Sequence, residues 1–179
     1  LDDRLEKLDL RYCEKIDNKA VQAIQEQCPN LKELSLIGCM ALSEITESSS
    51  HPMLTNLEDL DVSHCSNLHT LKLEAHSLTN LKGSHNPLLQ EVKLGSDFRR
   101  NSVLTSDFLD FFLHPSLRQL ELHHCEKIDN RVISIIQKHC SNLKILSLTG
   151  CIGVSEIIES PSYATLINLQ ELDISHCSN

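Results

Sequence analysis

Apolar residues recur along this chain in a nine-position pattern, at positions 1, 4 and 6, with cysteine at position 9. Residues 5–13 read LEKLDLRYC, and two evenly spaced copies follow, LKELSLIGC at 31–39 and LEDLDVSHC at 57–65. The alternation of apolar and polar residues at positions 4–6 is typical of a short strand with one buried face. Because the copies run in the same direction, the pattern predicts one parallel strand in each unit, stacked on its neighbours.

A helix is predicted between the first two strands. Val21, Ile24 and Cys28 follow one another at spacings of three and four positions, which places them on one face of a helix. Asp17 is suited to cap the N-terminus of this helix. Pro29 is expected to end it, because the residue before a proline is disfavoured in the helical conformation. We call the complete stretch 5–30, strand and helix together, the long unit.

The block of residues 5–67 is repeated at 117–179 without a gap. Of the 63 aligned positions, 36 are identical, so the chain contains an internal duplication of several units. The second copy repeats the helix pattern as well, and Asp129 is predicted as the N-cap of that helix.

In the middle of the chain, the segment 57–94 fits a shorter unit, which reads LEDLDVSHCSNLHTLKLEAHS at 57–77. We call this the short unit. The strand of the following short unit begins at either Leu78 or Leu89, and the sequence leaves these two alternatives open. A further helix is expected over about Ser106–Leu113, with Thr105 or Ser106 as its N-cap.

The long unit resembles the cysteine-containing leucine-rich repeat of F-box proteins, and the short units resemble short bacterial leucine-rich repeats. The resemblance implies an α/β leucine-rich-repeat solenoid, a curved horseshoe. A parallel β-sheet would form its concave face, and helices or irregular segments its convex face. We expect residues 1–179 to form one array, a fragment of a longer one, because a solenoid normally has polar caps at its ends.

The formal charge of −9, from 25 acidic and 16 basic residues, argues against a nucleic-acid partner and favours a basic protein partner. No apolar run approaches the length of a membrane span, so no membrane partner is expected. The sequence does not indicate an oligomeric state.

The chain has eight cysteines, of which six stand at position 9 of a unit and two, Cys28 and Cys140, at a predicted helix end. We interpret all of them as buried, reduced thiols that take core positions, which predicts a cytoplasmic location. For a bacterial effector, that location would be the host cytosol. No disulfide, metal site or cofactor is expected, and the absence of catalytic motifs predicts that the chain is not an enzyme.

The candidate binding surface is the outward side of successive strands, which we expect to form one continuous concave face. Adjacent strands lie about 4.8 Å apart, so residues at the same position of successive units form columns. Position 5 carries Asp9, Ser35 and Asp61, then Lys82 or Lys93, then Glu121, Ser147 and Asp173. Carboxylates in such a column would attract a basic partner, although a merely solvated face remains the alternative.

Two further groups of residues extend this candidate surface. Histidines precede position-9 cysteines and are interpreted as exposed strand-end residues that could make a pH-sensitive contact. Tyr12 with Arg11 is a candidate hot spot, or else Tyr12 packs against a preceding unit. The complete predicted protein-binding set is Lys7, Asp9, Arg11, Tyr12, Glu33, Asp59, Asp61, His64, Glu121, His123, His124, Glu171, Asp173 and His176.

The leading functional hypothesis is a module that binds a protein partner on its concave face. The F-box resemblance implies substrate recognition for a ubiquitin ligase. The alternatives are a leucine-rich-repeat segment of a bacterial effector that acts on host proteins, and a purely structural array.

Overall fold

The computed structural model describes residues 3–46, 54–73, 77–94, 101–106, 109, 113–155 and 166–177. In these residues the strands are short and lie between long connections. In chain order the elements are β1 Lys7–Asp9, α1 Asn18–Gln27, β2 Glu33–Ser35, β3 Glu44–Ile45, β4 Asp59–Asp61, β5 Thr70–Leu73, β6 Asn80–Lys82, β7 Glu91–Leu94, β8 Asn101–Thr105, β9 Gln119–Leu122, β10 Cys125–Lys127, α2 Arg131–His139, β11 Ile145–Ser147 and β12 Glu171–Asp173.

The strands are parallel and belong to two larger sheets and one strand pair. We call the sheet with the order β1-β2-β4-β6 the first sheet, and the sheet with the order β12-β11-β9-β7-β5-β3 the second sheet. Strands β8 and β10 form the separate pair. Equivalent residues of successive units face one another, as in Leu8, Leu34 and Leu60 of the first sheet. This is the α/β repeat fold with parallel strands that the sequence predicted.

The prediction of one continuous sheet is wrong, because the two duplicated blocks contribute to different sheets. The motif strands of the first block, β1, β2 and β4, lie in the first sheet, whereas those of the second block, β9, β11 and β12, lie in the second sheet. Both alternatives for the middle unit are realised: the strand after Leu78 is β6 of the first sheet, and the strand after Leu89 is β7 of the second.

The length of each connection explains why the second block changes sheet. Gln119 of β9 is in register with Glu91 of β7, and the chain between them is about as long as one long unit. The first-sheet equivalent of Glu91 is Asn80, which lies much earlier in the chain. A connection of one unit length therefore brings β9 beside β7. The short units make this change possible, because they provide strands in both sheets.

The two helices begin differently, although their sequences are related. Asp17 caps α1 as predicted, and its Oδ1 accepts a hydrogen bond from Ala20 N at 2.9 Å. The N-cap of α2 is Asn130, so the prediction of Asp129 is wrong by one position. The Asp129 carboxylate accepts hydrogen bonds from Ser106 Oγ at 2.9 Å and from the backbone N of Arg131, the first residue of α2, at 3.1 Å, and it pairs with the Arg131 side chain.

Most of the helix predicted over 106–113 lies outside the described residues. The contact described there is a hydrogen bond of 3.0 Å from Leu113 N to Leu109 O, which has the spacing of a helical turn.

Leucines from both sheets form one hydrophobic core together with the apolar faces of the two helices. Leu34, Leu60 and Leu120 are buried at the centre of their strands, and Val21, Ile24 and Val132 are buried on the helices. The core leaves the polar side chains of alternate strand positions on the outside of each sheet, where the candidate surfaces lie.

Candidate interaction surfaces

The outward side of the first sheet forms an open groove of about 660 Å³. Two columns of side chains cross it, one from position 3 and one from position 5 of each unit. The groove includes Lys7, Asp9, Arg11, Glu33, Ser35, Asp59, Asp61, Asn80 and Lys82 among its lining residues. Six of these residues belong to the predicted binding set, and the sheet register brings them onto one face.

At the β1 end of this groove the charges are already paired. Lys7 Nζ contacts Glu33 Oε1 across the two strands, and this hydrogen bond raises the pKa of Lys7. Arg11 contacts Asp9 at 2.6 Å, and hydrogen bonds from Arg11 lower the pKa of Asp9. These pairs are exposed, so each contributes little to stability. They do reduce the attraction of this end for a further charge.

At the β4 end, two carboxylates have no ion-pair partner in the part of the chain that the structure describes. Asp59 accepts a hydrogen bond of 2.6 Å from Asn80 Nδ2, and Asp61 accepts one of 2.9 Å from Ser63 N. Lys82 lies opposite Asp61 in the sheet register but makes no ion pair with it in this structure. This end of the groove therefore presents two carboxylates that form no ion pair within the described residues, beside the exposed ammonium group of Lys82.

The second sheet carries a more buried polar network across four strands. Glu121 accepts hydrogen bonds from Lys93 Nζ at 3.1 Å and from Gln119 Nε2 at 2.5 Å. His123 Nε2 lies 3.4 Å from Glu121 Oε2 and 3.3 Å from Ser147 Oγ. The hydrogen bond with His123 is the largest cause that lowers the pKa of Glu121 to about 2.

The network continues from Ser147 toward the last described strand. Ser147 Oγ is 2.9 Å from Thr149 Oγ1, and Thr149 donates to Asp173 Oδ2 at 3.0 Å. A backbone hydrogen bond from Ser175 is the largest cause that lowers the pKa of Asp173. On this face Glu121 and Asp173 are therefore already engaged, by Lys93 and Thr149 of neighbouring strands respectively.

Glu121, His123 and Ser147 have the residue types of a hydrolytic triad but not its geometry. In a triad, one ring nitrogen of histidine contacts the carboxylate and the other contacts the hydroxyl. Here Nε2 of His123 is the atom near both Glu121 and Ser147. In addition, Ser147 is buried, with 8% of its surface exposed. This arrangement joins strands and does not activate a nucleophile.

Position 8 of each motif strand has left-handed backbone geometry, and it forms a ladder along the edge of each sheet. The residues with positive φ are Tyr12, His64, His85, His124 and His176, together with Gly38 and Gly150. Within the described residues, the side chain at this position packs on position 8 of the following unit in three places. The His64 and His85 rings stack with centroids 4.5 Å apart. Tyr12 lies over Gly38 and His124 over Gly150.

The exposure and contacts of Tyr12 and of the histidines can be compared with the predictions. The Tyr12 ring packs against the following unit, at Gly38. It remains 70% exposed, so it is still accessible to a partner. The interpretation of the histidines as exposed is correct for His64 and His176 but wrong for His123, which is 8% exposed because it packs beside Ser147.

Seven of the eight cysteines are buried, as the repeat positions predicted. Their thiols act as donors: Cys39 donates to Leu10 O at 3.3 Å and Cys65 to Leu36 O at 3.1 Å, each in the preceding unit. Cys13, in the first unit of this chain, is exposed, contrary to the prediction. The structure contains no cluster of three or more metal-ligating side chains within its described ranges.

The predicted binding set is thus divided between two surfaces, and no single column contains it. The first-sheet group is Lys7, Asp9, Arg11, Tyr12, Glu33, Asp59, Asp61 and His64. The second-sheet group is Glu121, His123, His124, Glu171, Asp173 and His176.

Sequence reasoning missed Asn80, His85 and Asn86. Asn86 stands at position 9 of the unit that begins at Leu78, where other units have cysteine, so the repeat alignment contained a signal for it.

Among the residues whose placement is described, no helix has the length and apolar character needed to cross a membrane. The longer helix, α1, spans only Asn18–Gln27.

The stacked parallel strands with buried leucines define this chain as a leucine-rich-repeat protein. Residues 3–135, about three quarters of the chain, match the family described as plant disease resistance protein RPS2-like, leucine-rich repeats. The chain belongs to this family. The match supports neither the F-box resemblance nor the bacterial resemblance of the middle segment.

A disease resistance protein also matches this chain, over a shorter region. Disease resistance protein At4g27190 of Arabidopsis thaliana is 32% identical to this chain over 82 residues, which is 44% of this chain. The aligned region is 8% of the length of that protein. Leucine-rich repeats of this family are typically interaction modules without catalytic activity, so the chain is a protein-interaction module by family.

Proposed function

We propose that this chain is a recognition module that binds a protein partner in the groove on the outward side of the first sheet. The observation that carries the proposal is the pair Asp59 and Asp61 at the β4 end of an open groove, which accepts hydrogen bonds but forms no ion pair within the described residues. In the second sheet, Asp173, the counterpart of Asp61, accepts a hydrogen bond from Thr149, and Glu121, the counterpart of Asp9, accepts one from Gln119.

The partner that fits this groove is a segment with a basic side chain. Asp59 and Asp61 are two positions apart on one strand, so both carboxylates lie on the same face. Ser35 on the adjacent strand β2 is small and leaves space beside Asp61, with which it is in register. A lysine or arginine placed there would gain two charge-assisted contacts that no residue of the described chain supplies.

The family match favours recognition within a disease-resistance protein over the ubiquitin-ligase and bacterial-effector roles suggested by the sequence. We propose a reducing, cytoplasmic location from the repeat positions of the eight cysteines in the sequence. The aligned relative is far longer than this chain. Any response that follows recognition is therefore part of our proposal and is not shown by the comparison.

The test is a quantitative capture experiment with the double variant Asp59→Asn and Asp61→Asn, which removes charge and keeps side-chain size. The matched control is the duplicated pair, Glu171→Gln and Asp173→Asn. We expect the first variant to weaken partner capture by about tenfold or more, because each hydrogen bond to a charged group is worth about 1.5–3 kcal/mol. The control variant is expected to capture the partner as the wild type does.

Other outcomes of this experiment would contradict the proposal. Loss of capture only in the control pair would move the binding surface to the second sheet. If both variants capture the partner as the wild type does and have unchanged unfolding midpoints, the result would favour the alternative that the chain is a purely structural array. A weakened interaction that does not depend on salt concentration would contradict the charge-based mechanism.

A further inference from the structure

Three aspartates at position 5 of their units share one backbone contact. In each, the carboxylate oxygen Oδ1 accepts a hydrogen bond from the backbone N–H two residues later: Asp9 from Arg11 at 3.1 Å, Asp61 from Ser63 at 2.9 Å and Asp173 from Ser175 at 2.9 Å. The three carboxylates are therefore attached to their strands in the same way. They differ in the group that meets the second oxygen, Oδ2.

This second oxygen is occupied at Asp9 and at Asp173. The guanidinium of Arg11 lies side-on against Asp9, with Nη2 at 2.6 Å and Nε at 2.9 Å from Oδ2. Thr149, at position 7 of the preceding unit, donates to Asp173 Oδ2 at 3.0 Å. One oxygen thus takes a guanidinium and the other takes a hydroxyl group.

At Asp61 neither kind of donor is present. Position 7 of its own unit is Ser63 where the first unit has arginine, and position 7 of the preceding unit is Ile37, the duplicate of Thr149. No residue of the described chain donates to Asp61 Oδ2, and both Asp61 and Ile37 line the groove. The oxygen that receives a guanidinium at Asp9 is therefore open in the groove at Asp61.

A second polar atom without a partner lies beside this oxygen. Ser35 is in register with Asp61 on the neighbouring strand and lines the groove, and its Oγ is buried with no hydrogen-bond partner among the described residues. A donor that reaches this hydroxyl adds a hydrogen bond without breaking an existing one. The duplicate of Ser35, Ser147, is already engaged with His123 and Thr149.

We propose that the basic side chain of the partner is an arginine that donates to Asp61 Oδ2 and Ser35 Oγ, an assignment that rests on the function proposed above. Charge complementarity supports a single cation at this place. The groove is lined by four carboxylates and three cationic side chains, so one further cation balances its charge: Asp9, Glu33, Asp59 and Asp61 against Lys7, Arg11 and Lys82.

The separation of the acceptors favours arginine over lysine. Asn80 Nδ2 holds Asp59 from the neighbouring strand β6 at 2.6 Å, and Ser63 N holds Asp61 from further along its own unit. Ser35 lies on the strand at the other side, about 4.8 Å away. An ammonium group must gather its acceptors around one nitrogen, whereas a guanidinium spreads five donors over a planar fork. The guanidinium therefore reaches acceptors that one ammonium cannot contact together.

The first test compares blocked peptides as probes, by NMR titration of the isotope-labelled chain. The probes are acetyl-Gly-Arg-Gly-amide and acetyl-Gly-Lys-Gly-amide. We expect the arginine peptide to shift the backbone amide resonances of Ser35 and Asp61 and to bind about tenfold or more tightly than the lysine peptide, because it gains a further charge-assisted hydrogen bond.

The outcomes of this test separate the arginine assignment from the proposed function. Equal affinities for the two peptides would overturn the assignment of arginine. If the double variant Asp59→Asn and Asp61→Asn still lost its partner, the groove would remain the binding surface. Resonance shifts confined to the second sheet would also overturn the assignment.

A second test closes the open oxygen from within the chain. Ile37→Thr supplies the hydroxyl that Thr149 supplies in the duplicated block, and Ile37→Val is the matched variant of similar shape without a hydroxyl. We expect Ile37→Thr to bind the arginine peptide about fivefold or more weakly than Ile37→Val, because its hydroxyl competes for Asp61 Oδ2. Equal affinities of the two variants would exclude Asp61 Oδ2 as the binding atom.

A third test examines Ser35. Ser35→Ala should weaken binding of the arginine peptide by about fivefold or more, with no decrease in the unfolding midpoint, because the hydroxyl has no partner to lose. The matched control is Ser147→Ala, which should lower the unfolding midpoint by removing contacts with His123 and Thr149 and should bind the peptide as the wild type does. Wild-type affinity in Ser35→Ala would overturn the contact assigned to Ser35.

Discussion

Replacing Gly38 by alanine tests the position-8 ladder most directly. Gly38 has φ of +69°, and a Cβ built there would lie 2.6 Å from Cδ1 and 2.9 Å from Cε1 of Tyr12. The left-handed backbone costs an alanine about 1–2 kcal/mol. The Tyr12 ring is 70% exposed, so it can move aside, and it then loses a contact that we estimate at about 1 kcal/mol.

We therefore expect Gly38→Ala to lower the free energy of unfolding by about 2–3 kcal/mol. In a Tyr12→Ala background, where the ring is absent, only the backbone cost of about 1–2 kcal/mol should remain. The difference of about 1 kcal/mol is the coupling between the two residues. Urea denaturation of the four proteins, followed by circular dichroism, measures each term.

The control for this cycle is its counterpart in the second block, where His124 lies over Gly150, which has φ of +71°. The two cycles should give similar coupling. Equal costs of Gly38→Ala with and without Tyr12 would refute the ring contact. A cost below about 0.5 kcal/mol in the wild-type background would refute the left-handed backbone at this position.

Three other substitutions test the polar contacts. The pKa of Glu121 is lowered to about 2 from an ordinary 4.5. The ionised carboxylate should therefore stabilise the fold by up to about 3 kcal/mol above pH 4.5, and this stabilisation should be lost as the pH falls toward 2. A stability difference between the wild type and Glu121→Gln that stays the same across this pH range would contradict the prediction. Asn86→Ala should cost about 1–3 kcal/mol in urea denaturation, since Asn86 Oδ1 accepts from buried Cys65 N at 3.0 Å, and a neutral result would argue against that bond. Asp17→Ala should lower helix stability by about 1 kcal/mol, whereas no loss in thermal unfolding would contradict the N-cap.

The sequence predicted the repeat unit because its signals are local. Alternation at positions 4–6 produced the short strands, and Asp17 produced the observed N-cap. The buried cysteines followed from their repeat position, with the exception of Cys13 in the first unit. The pair Lys7 and Glu33 also follows from the register of the long unit, since both stand at position 3 of neighbouring strands.

The candidate surface was predicted only in part, because it depends on contacts between units. The sequence selected Asp59 and Asp61, but the contacts of Glu121 with Lys93 and of Asp173 with Thr149 join different strands and require three-dimensional neighbours. The burial of His123 has the same origin: its position resembles that of Arg11 in the first block, but Ser147 and Glu121 enclose it.

The sequence by itself determined that this protein is built of stacked parallel strands with leucine inside and polar residues outside. Only the tertiary structure decided that the duplicated blocks lie in different sheets. The physical reason is that an alternating strand fits either sheet equally well, since both bury the same leucine positions. The length of the connection before β9 and its pairing with β7 select the sheet. That selection separates Asp61 from its duplicate Asp173 and divides the predicted surface in two.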